Sequence, residues 1–255
     1  MNERLFNKFK PVVMLHPHET YYPCTIEYYL ANSSVWKDNE QIAPIGSATT
    51  DTLANYDETT SLKPTPLAYR GSTKENLNFI PFYVALSKLS SDCWELKYIF
   101  LYVYNGEIGC WSCSTHLADM EHITIRIKPH TEEIISVYFS AHGNDQGYWA
   151  SPDELEFYSP NGIKIYSALD SHASYRRARC YPRIFFCAND HTSNKGQLWD
   201  PQELVEIKED TPWNQYKGYL GYPDHVQVPR YHSWWEKESG RSISWLGRIF
   251  ACWKW

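Results

Sequence analysis

Residues 96–104, Leu-Lys-Tyr-Ile-Phe-Leu-Tyr-Val-Tyr, constrain the fold more than any other run in the chain. In an extended backbone Leu96, Tyr98, Phe100 and Tyr102 face one way, and Ile99, Leu101 and Val103 face the other. A strand that is apolar on both sides must be covered on both sides, as the centre of a β-sandwich is. Further on, Ile123, Ile125 and Ile127 alternate with Thr124, Arg126 and Lys128, which predicts a second strand with one apolar face. If that strand begins early, Asp119 and Glu121 fall on the isoleucine face, and His116 arrives from the loop before it. Two carboxylates at the mouth of an apolar core need a counter-charge, and a divalent cation supplies one. His116, Asp119 and Glu121 are therefore the candidate metal ligands, an imidazole and two oxygens, with Mg²⁺ or Ca²⁺ favoured over Zn²⁺.

Further strands are predicted at 11–15, 134–140, 163–168, 183–187 and 204–207, between Gly, Pro and Asn punctuation. Helix is predicted only at 25–31 and in a turn around 172–179. The polar stretch 32–78 reads as an excursion from the core that carries a few strands. With 255 residues and 43% hydrophobic side chains, one β-rich sandwich domain with short peripheral helices spans 1–255. The 20 tyrosines and 11 tryptophans suit strands and packed aromatic surfaces.

A formal net charge of −6 and the lack of a basic block disfavour nucleic-acid binding. The amino terminus has no apolar signal core and no run is long enough to span a bilayer, so the expectation is a cytoplasmic or intracellular protein. Seven cysteines leave one unpaired or paired between chains, and without a signal peptide mostly reduced, buried thiols are expected. Cys110 and Cys113 have redox spacing without the surrounding strand–helix–strand pattern, and Cys180 with Cys187 is a weak zinc candidate.

Each candidate site residue also has a structural reading. Asp119 and Glu121 could pair with backbone donors or with Arg126, Arg176 or Arg177. His142, His172, Asp190 and His191 form a possible additional site. Alternatively, His172 caps a short helix or donates to a buried carbonyl, His142 stabilises a turn, and Asp190-His191 makes an Asx turn. His16 and His18 organise a strand end.

Blocks of the chain resemble the vacuolar protein sorting protein 62 family. They are residues 11–30, the segment 116–127 beside that family's Gly-His-x-x-Asp-Trp-Glu-His, and the stretches 138–143, 166–175, 189–196 and 199–200. The chain departs from the pattern at Thr115, where a Gly is usual, and at Met120, where a Trp is usual. The segment 116–121 is also similar, more weakly, to the Gly-His-Arg-His-Asp-Trp-Glu of secreted necrosis-inducing proteins. In those toxins the His, Asp and Glu help to hold a divalent cation on a β-sandwich. Carried over, this implies a sandwich and a cation at His116, Asp119 and Glu121. It does not imply toxicity.

Three functional classes follow. A non-enzymatic binding or assembly protein needs only the cation and an aromatic surface, with a glycan or lipid as ligand. A metal-dependent hydrolase of esters or phosphodiesters would use the same histidines and carboxylates as ligands and base. No nucleophile elbow, phosphate loop or dinucleotide fingerprint is present. A self-associating structural protein, such as the matrix of a viral occlusion body, would account for the aromatic stretch 245–255. Trp245, Phe250, Trp253 and Trp255 are then interface residues in a dense assembly.

Overall fold

The structure is a computed structural model. It describes residues 2–106, 115–142, 147–184 and 188–222, without the side chains of 183, 184 and 188. The sequence at 96–104 does become the centre of a sheet, as part of β6 (Trp94–Asn105). Its neighbours are β5 (Phe82–Lys88) and β7 (His116–Lys128). Outside these lie β8 (Glu133–Phe139), β9 (Tyr148–Ala150) and β15 (Leu204–Glu206). The six strands run in the order β15-β5-β6-β7-β8-β9, antiparallel except where β15 joins β5.

One face of this sheet presents Phe82, Val84, Tyr98, Phe100, Tyr102, Ile123, Ile125, Ile127, Val137 and Phe139. A four-stranded sheet of order β11-β10-β1-β14 covers it. Its strands are β1 (Val12–Met14), β10 (Lys164–Ser167), β11 (Ser174–Tyr175) and β14 (Leu198–Trp199). Val13, Ile165 and Trp199 come from these strands, and Leu5 and Phe6 from the helix α1 (Asn2–Lys8). The helix is fixed over the sheet by the Tyr98 hydroxyl, which donates to the Phe6 carbonyl at 2.7 Å, and by ion pairs from Arg4 and Lys8 to Glu132.

The other face presents Tyr83, Ala85, Ile99, Leu101, Val103, Ala118 and Met120. These meet Ile26, Tyr29 and Leu30 of helix α2 (Ile26–Ala31), whose Thr25 side chain caps the Tyr28 amide. They also meet Val35 and Leu62 of a three-stranded sheet. That sheet has the order β3-β2-β4, from β2 (Ser33–Lys37), β3 (Glu40–Ala43) and β4 (Ser61–Pro64). Asp38 and Asn39, with φ of 49° and 67°, make the two-residue turn between β2 and β3, where both central residues need positive φ. The molecule is therefore β-rich, with the double-faced strand buried from both sides and only short helices at the periphery. No helix among the described residues is long and apolar enough to cross a membrane.

Three local expectations are revised. The turn around 172–179 holds the short strand β11 instead of helix, because Ser174 and Tyr175 pair with Ser167 and Tyr166. Helix appears instead at the amino end, where Leu5 and Phe6 face the core. The strand expected at 183–187 is seen as β12 (Cys180–Ile184), paired with β13 (Ala188–His191). Residues 245–255, with Trp245, Phe250, Trp253 and Trp255, lie outside the described residues, as do Cys110, Cys113, Cys187 and Cys252.

A buried charged cluster at the mouth of the central sheet

β7 begins at His116, early enough to carry the acidic pair into the sheet. Asp119 lies opposite Tyr102, Glu121 opposite Phe100 and Ile123 opposite Tyr98, so both carboxylates share the isoleucine face. Each residue is only 6% exposed. The loop after β10 brings His172 against them, its ring stacked on Tyr102 at 3.7 Å. His172 Nδ1 donates to Asp119 Oδ2 at 2.8 Å, and Nε2 donates to the Tyr21 carbonyl at 3.1 Å. Glu19 Oε1 stands 3.7 Å from that Nε2. The Glu19 carboxylate is in turn held by the amides of Thr20, Tyr21 and Asp170, at 2.9, 2.8 and 3.0 Å.

Charge decides the protonation here. Burial disfavours an imidazolium, but the facing Glu19 and Asp119 carboxylates outweigh it and push His172 up to about 10. Glu19 is likewise held below the ordinary carboxylate range by His172 and its backbone donors, against the cost of burial. Glu121 moves the opposite way. Burial, then the charge of Asp119, raises it well above the usual carboxylate range. Its carboxyl meets the Ser140 hydroxyl, which accepts the His122 amide at 2.8 Å.

Beside this lies a second group. Asp190, fully buried, accepts from Ser171 Oγ at 2.8 Å, Tyr175 Oη at 2.6 Å and His142 Nε2 at 2.5 Å. Asp190 is thus a buried acceptor on β13 instead of the Asx turn weighed from the sequence, and His142 reaches a carboxylate across the fold. Arg126, Arg176 and Arg177 are engaged with Glu95, Glu154 and Glu156, so the arginine pairing weighed for Asp119 is replaced by His172, while Glu121 meets Ser140. His191 lies on β13 and its carbonyl accepts the Leu169 amide. His16 and His18 stand with ring centroids 5.5 Å apart before Glu19.

The half-buried His116 turns its Nδ1 to the Ala118 carbonyl at 3.0 Å. As the chain stands, no three His, Cys, Asp or Glu side chains among the described residues converge closely enough to hold a metal ion. Asp119 is drawn to His172 and Glu121 to Ser140. The donor set nonetheless has the chemistry of a hard-cation site. It offers two carboxylates and an imidazole whose Nδ1–H is engaged by a carbonyl, leaving the lone pair on Nε2. Cys180 is disulfide-bonded, which removes its thiolate from any zinc site and departs from the expected reduced state. Cys24 is a free, buried thiol and Cys93 a free, half-buried one.

Backbone strain gathers at the same place. Asp38, Asn39 and Glu132 have positive φ in hairpin turns, but Ala118, His142, Asp170 and His172, with φ of 58°, 49°, 62° and 54°, all belong to this cluster or its loops. Glu19, Asp170, Ser140 and Tyr175 were not foreseen. Their roles depend on chain segments far apart in sequence, which periodicity does not relate.

None of the curated proteins matches the chain. Among solved structures it is similar to necrosis and ethylene inducing protein 2 from the causal agent of cocoa's witches' broom disease. The identity is 16%, covering 79% of this chain and 72% of that one, with a TM-score of 0.41. It is also similar to NLPPya in complex with mannosamine, at 14% identity, covering 80% and 71%, with a TM-score of 0.42. Residues 95–183, which hold β6 to β8 together with Asp119, Glu121, His142 and His172, match the family model of vacuolar protein sorting-associated protein 62, and the chain resembles that family.

Proposed function

We propose that this chain is a non-enzymatic binding protein that holds a divalent cation, Mg²⁺ or Ca²⁺, at His116, Asp119 and Glu121. The observation that supports it most is the pairing of Asp119 and Glu121 on one strand face, where the only cation facing them among the described residues, His172, is already shared with Glu19. The gathering of positive-φ residues around the pair adds to this, because such strain persists where surrounding structure holds a site in shape. A bound cation would replace the proton on Glu121, draw Asp119 partly from His172, and offer open positions to an oxygen-bearing ligand, for which a glycan is the proposed class. The reading requires no turnover.

The test is the metal content of full-length protein purified without chelator, together with melting in added Mg²⁺, Ca²⁺ or Mn²⁺. About one ion per chain is expected, with stabilisation of about 2.7 kcal/mol once the free ion reaches a hundredfold excess over its dissociation constant. Glu121→Gln, which keeps the volume and the Ser140 contact, should fold and lose that response. Protein that carries no ion and melts at the same temperature in all three would refute the reading.

A further inference from the structure

The aromatic stretch at 245–255 has no part in the cation site, and its sequence carries a second pattern. Residues 241–255 lie outside the described residues, so the pattern is one of sequence alone. On the helical period of about 100° per residue, Trp245, Ile249, Trp253, Leu246, Phe250 and Ile243 fall in that order within an arc of about 160°. Ser244, Gly247, Arg248 and Lys254 fall outside it, as does Trp255. The alternating period of a strand would instead leave Leu246 and Phe250 on the side of Arg248 and Lys254, so the helical period separates the two kinds of residue better. Arg241, Arg248 and Lys254 are the charges of this stretch, and no acid follows Glu238. Since the whole chain stands at −6 and this stretch at +3, residues 1–240 carry −9.

We propose that residues 241–255 attach this chain to the surface of an anionic lipid bilayer, with the apolar arc at the acyl boundary and the cations among the headgroups. Nothing in this attachment depends on the cation site. A one-sided apolar stretch, basic on its other side and rich in tryptophan, is suited to the headgroup level, where indole rings accumulate. It is too short to span a bilayer, which takes about 20 apolar residues. The fold does not call for it as a core layer. Both layers over the central sheet come from described residues: β1, β10 and α1 on one side, and on the other α2, the three-stranded sheet, Trp213, Tyr216 and Leu220. The described chain then closes on Tyr222, whose ring stacks on Trp36 at 5.3 Å and whose hydroxyl donates to Asn39 Oδ1 at 2.6 Å. A lipid surface fits the segment better than a second copy does. Among the described residues the large exposed apolar side chains come singly or in pairs from separate segments, such as Ile42 with Ile45, Leu67, Phe79, and Phe157 with Tyr158. No one element offers a strip to match six apolar side chains.

Flotation of the full chain with phosphatidylcholine vesicles, with and without phosphatidylserine, tests it. An anionic surface supplies about fivefold per cation, so vesicles with the serine lipid should hold the chain at least about tenfold more strongly. Added salt should weaken that hold. The same surface repels a body at −9, so retention there requires the basic segment. A chain ending at Gly240 should melt as the full chain does and no longer float. Arg248→Ile combined with Ile249→Arg keeps composition, net charge and Cys252, yet sets a cation inside the apolar arc. It should bind at least about tenfold more weakly. Gel filtration of the same samples reads self-association. A full chain that floats with neither vesicle overturns the proposal, as does a double variant that floats like wild type. Oligomers that dissolve on truncation, in a chain that binds no vesicle, would assign the segment to a second copy instead.

Discussion

Ile99→Asp is expected to abolish soluble folding. Ile99 is 1% exposed and packs among Tyr83, Leu101 and Met120 under α2 and the three-stranded sheet. On the opposite face, Tyr98 and Phe100 lie under β1, β10 and α1. No carboxylate at position 99 could reach water from between those layers. Burying it unpaired costs several kcal/mol, about the whole stability of a domain. Expression followed by a cooperative melt measures the effect. A soluble variant with a sharp transition would contradict the two-sided burial on which the architecture rests.

His172→Gln should lower the melting temperature and flatten the alkaline limb of stability. His172 ordinarily titrates near 6.5 but is held at about 10 in the fold. A group raised in the folded state contributes fully below its unfolded value and loses that contribution as pH climbs through the folded one. The stability it confers is therefore complete below pH 6.5 and is lost progressively towards pH 10, and integrates to on the order of 5 kcal/mol. Glu121, raised as well, acts in the same direction as pH rises above the carboxylate range. Glu19 is lowered, so its contribution is present above the carboxylate range and fails as pH falls. Denaturant titrations at pH 6.5 and 9.5 test this below the range in which the buried Tyr98 and Tyr102 ionise. Wild type should be clearly less stable at the higher pH, and the variant should lose the His172 share of that difference and keep only the part due to Glu121. Equal slopes for both would show that His172 is not the imidazolium at the centre of the network.

What the sequence revealed followed its periodicities. The two-sided run at 96–104 and the alternation at 123–127 located the sheet, its core and the face that holds Asp119 and Glu121, because side chains repeat every second residue. Helix α1 escaped notice because it is short and only Leu5 and Phe6 within it are buried. Strand β5 is not legible although Phe82, Tyr83, Val84 and Ala85 are all buried, since so short an apolar run cannot be told from a buried helix segment by its period. In the site, Glu19, His172 and Asp119 meet only because the loops after β1 and β10 converge on the start of β7. No local pattern encodes that meeting. The part of Asp190 as an acceptor is hidden for the same reason, since donors to it come from His142, Ser171 and Tyr175.

The proposed cation site makes one demand that an ordinary polar network does not. A cation binding at Glu121, whose proton affinity burial and the charge of Asp119 raise well above the ordinary carboxylate range, must compete there with a proton. Calorimetric titration of the full chain with Mn²⁺ at pH 7, repeated in buffers of different ionisation enthalpy, counts the protons released. Saturation at about one ion per chain, with about one proton released and both lost in Glu121→Gln, is the predicted result. Absence of saturable heat in every buffer, or binding that releases no proton and survives Glu121→Gln, would contradict it.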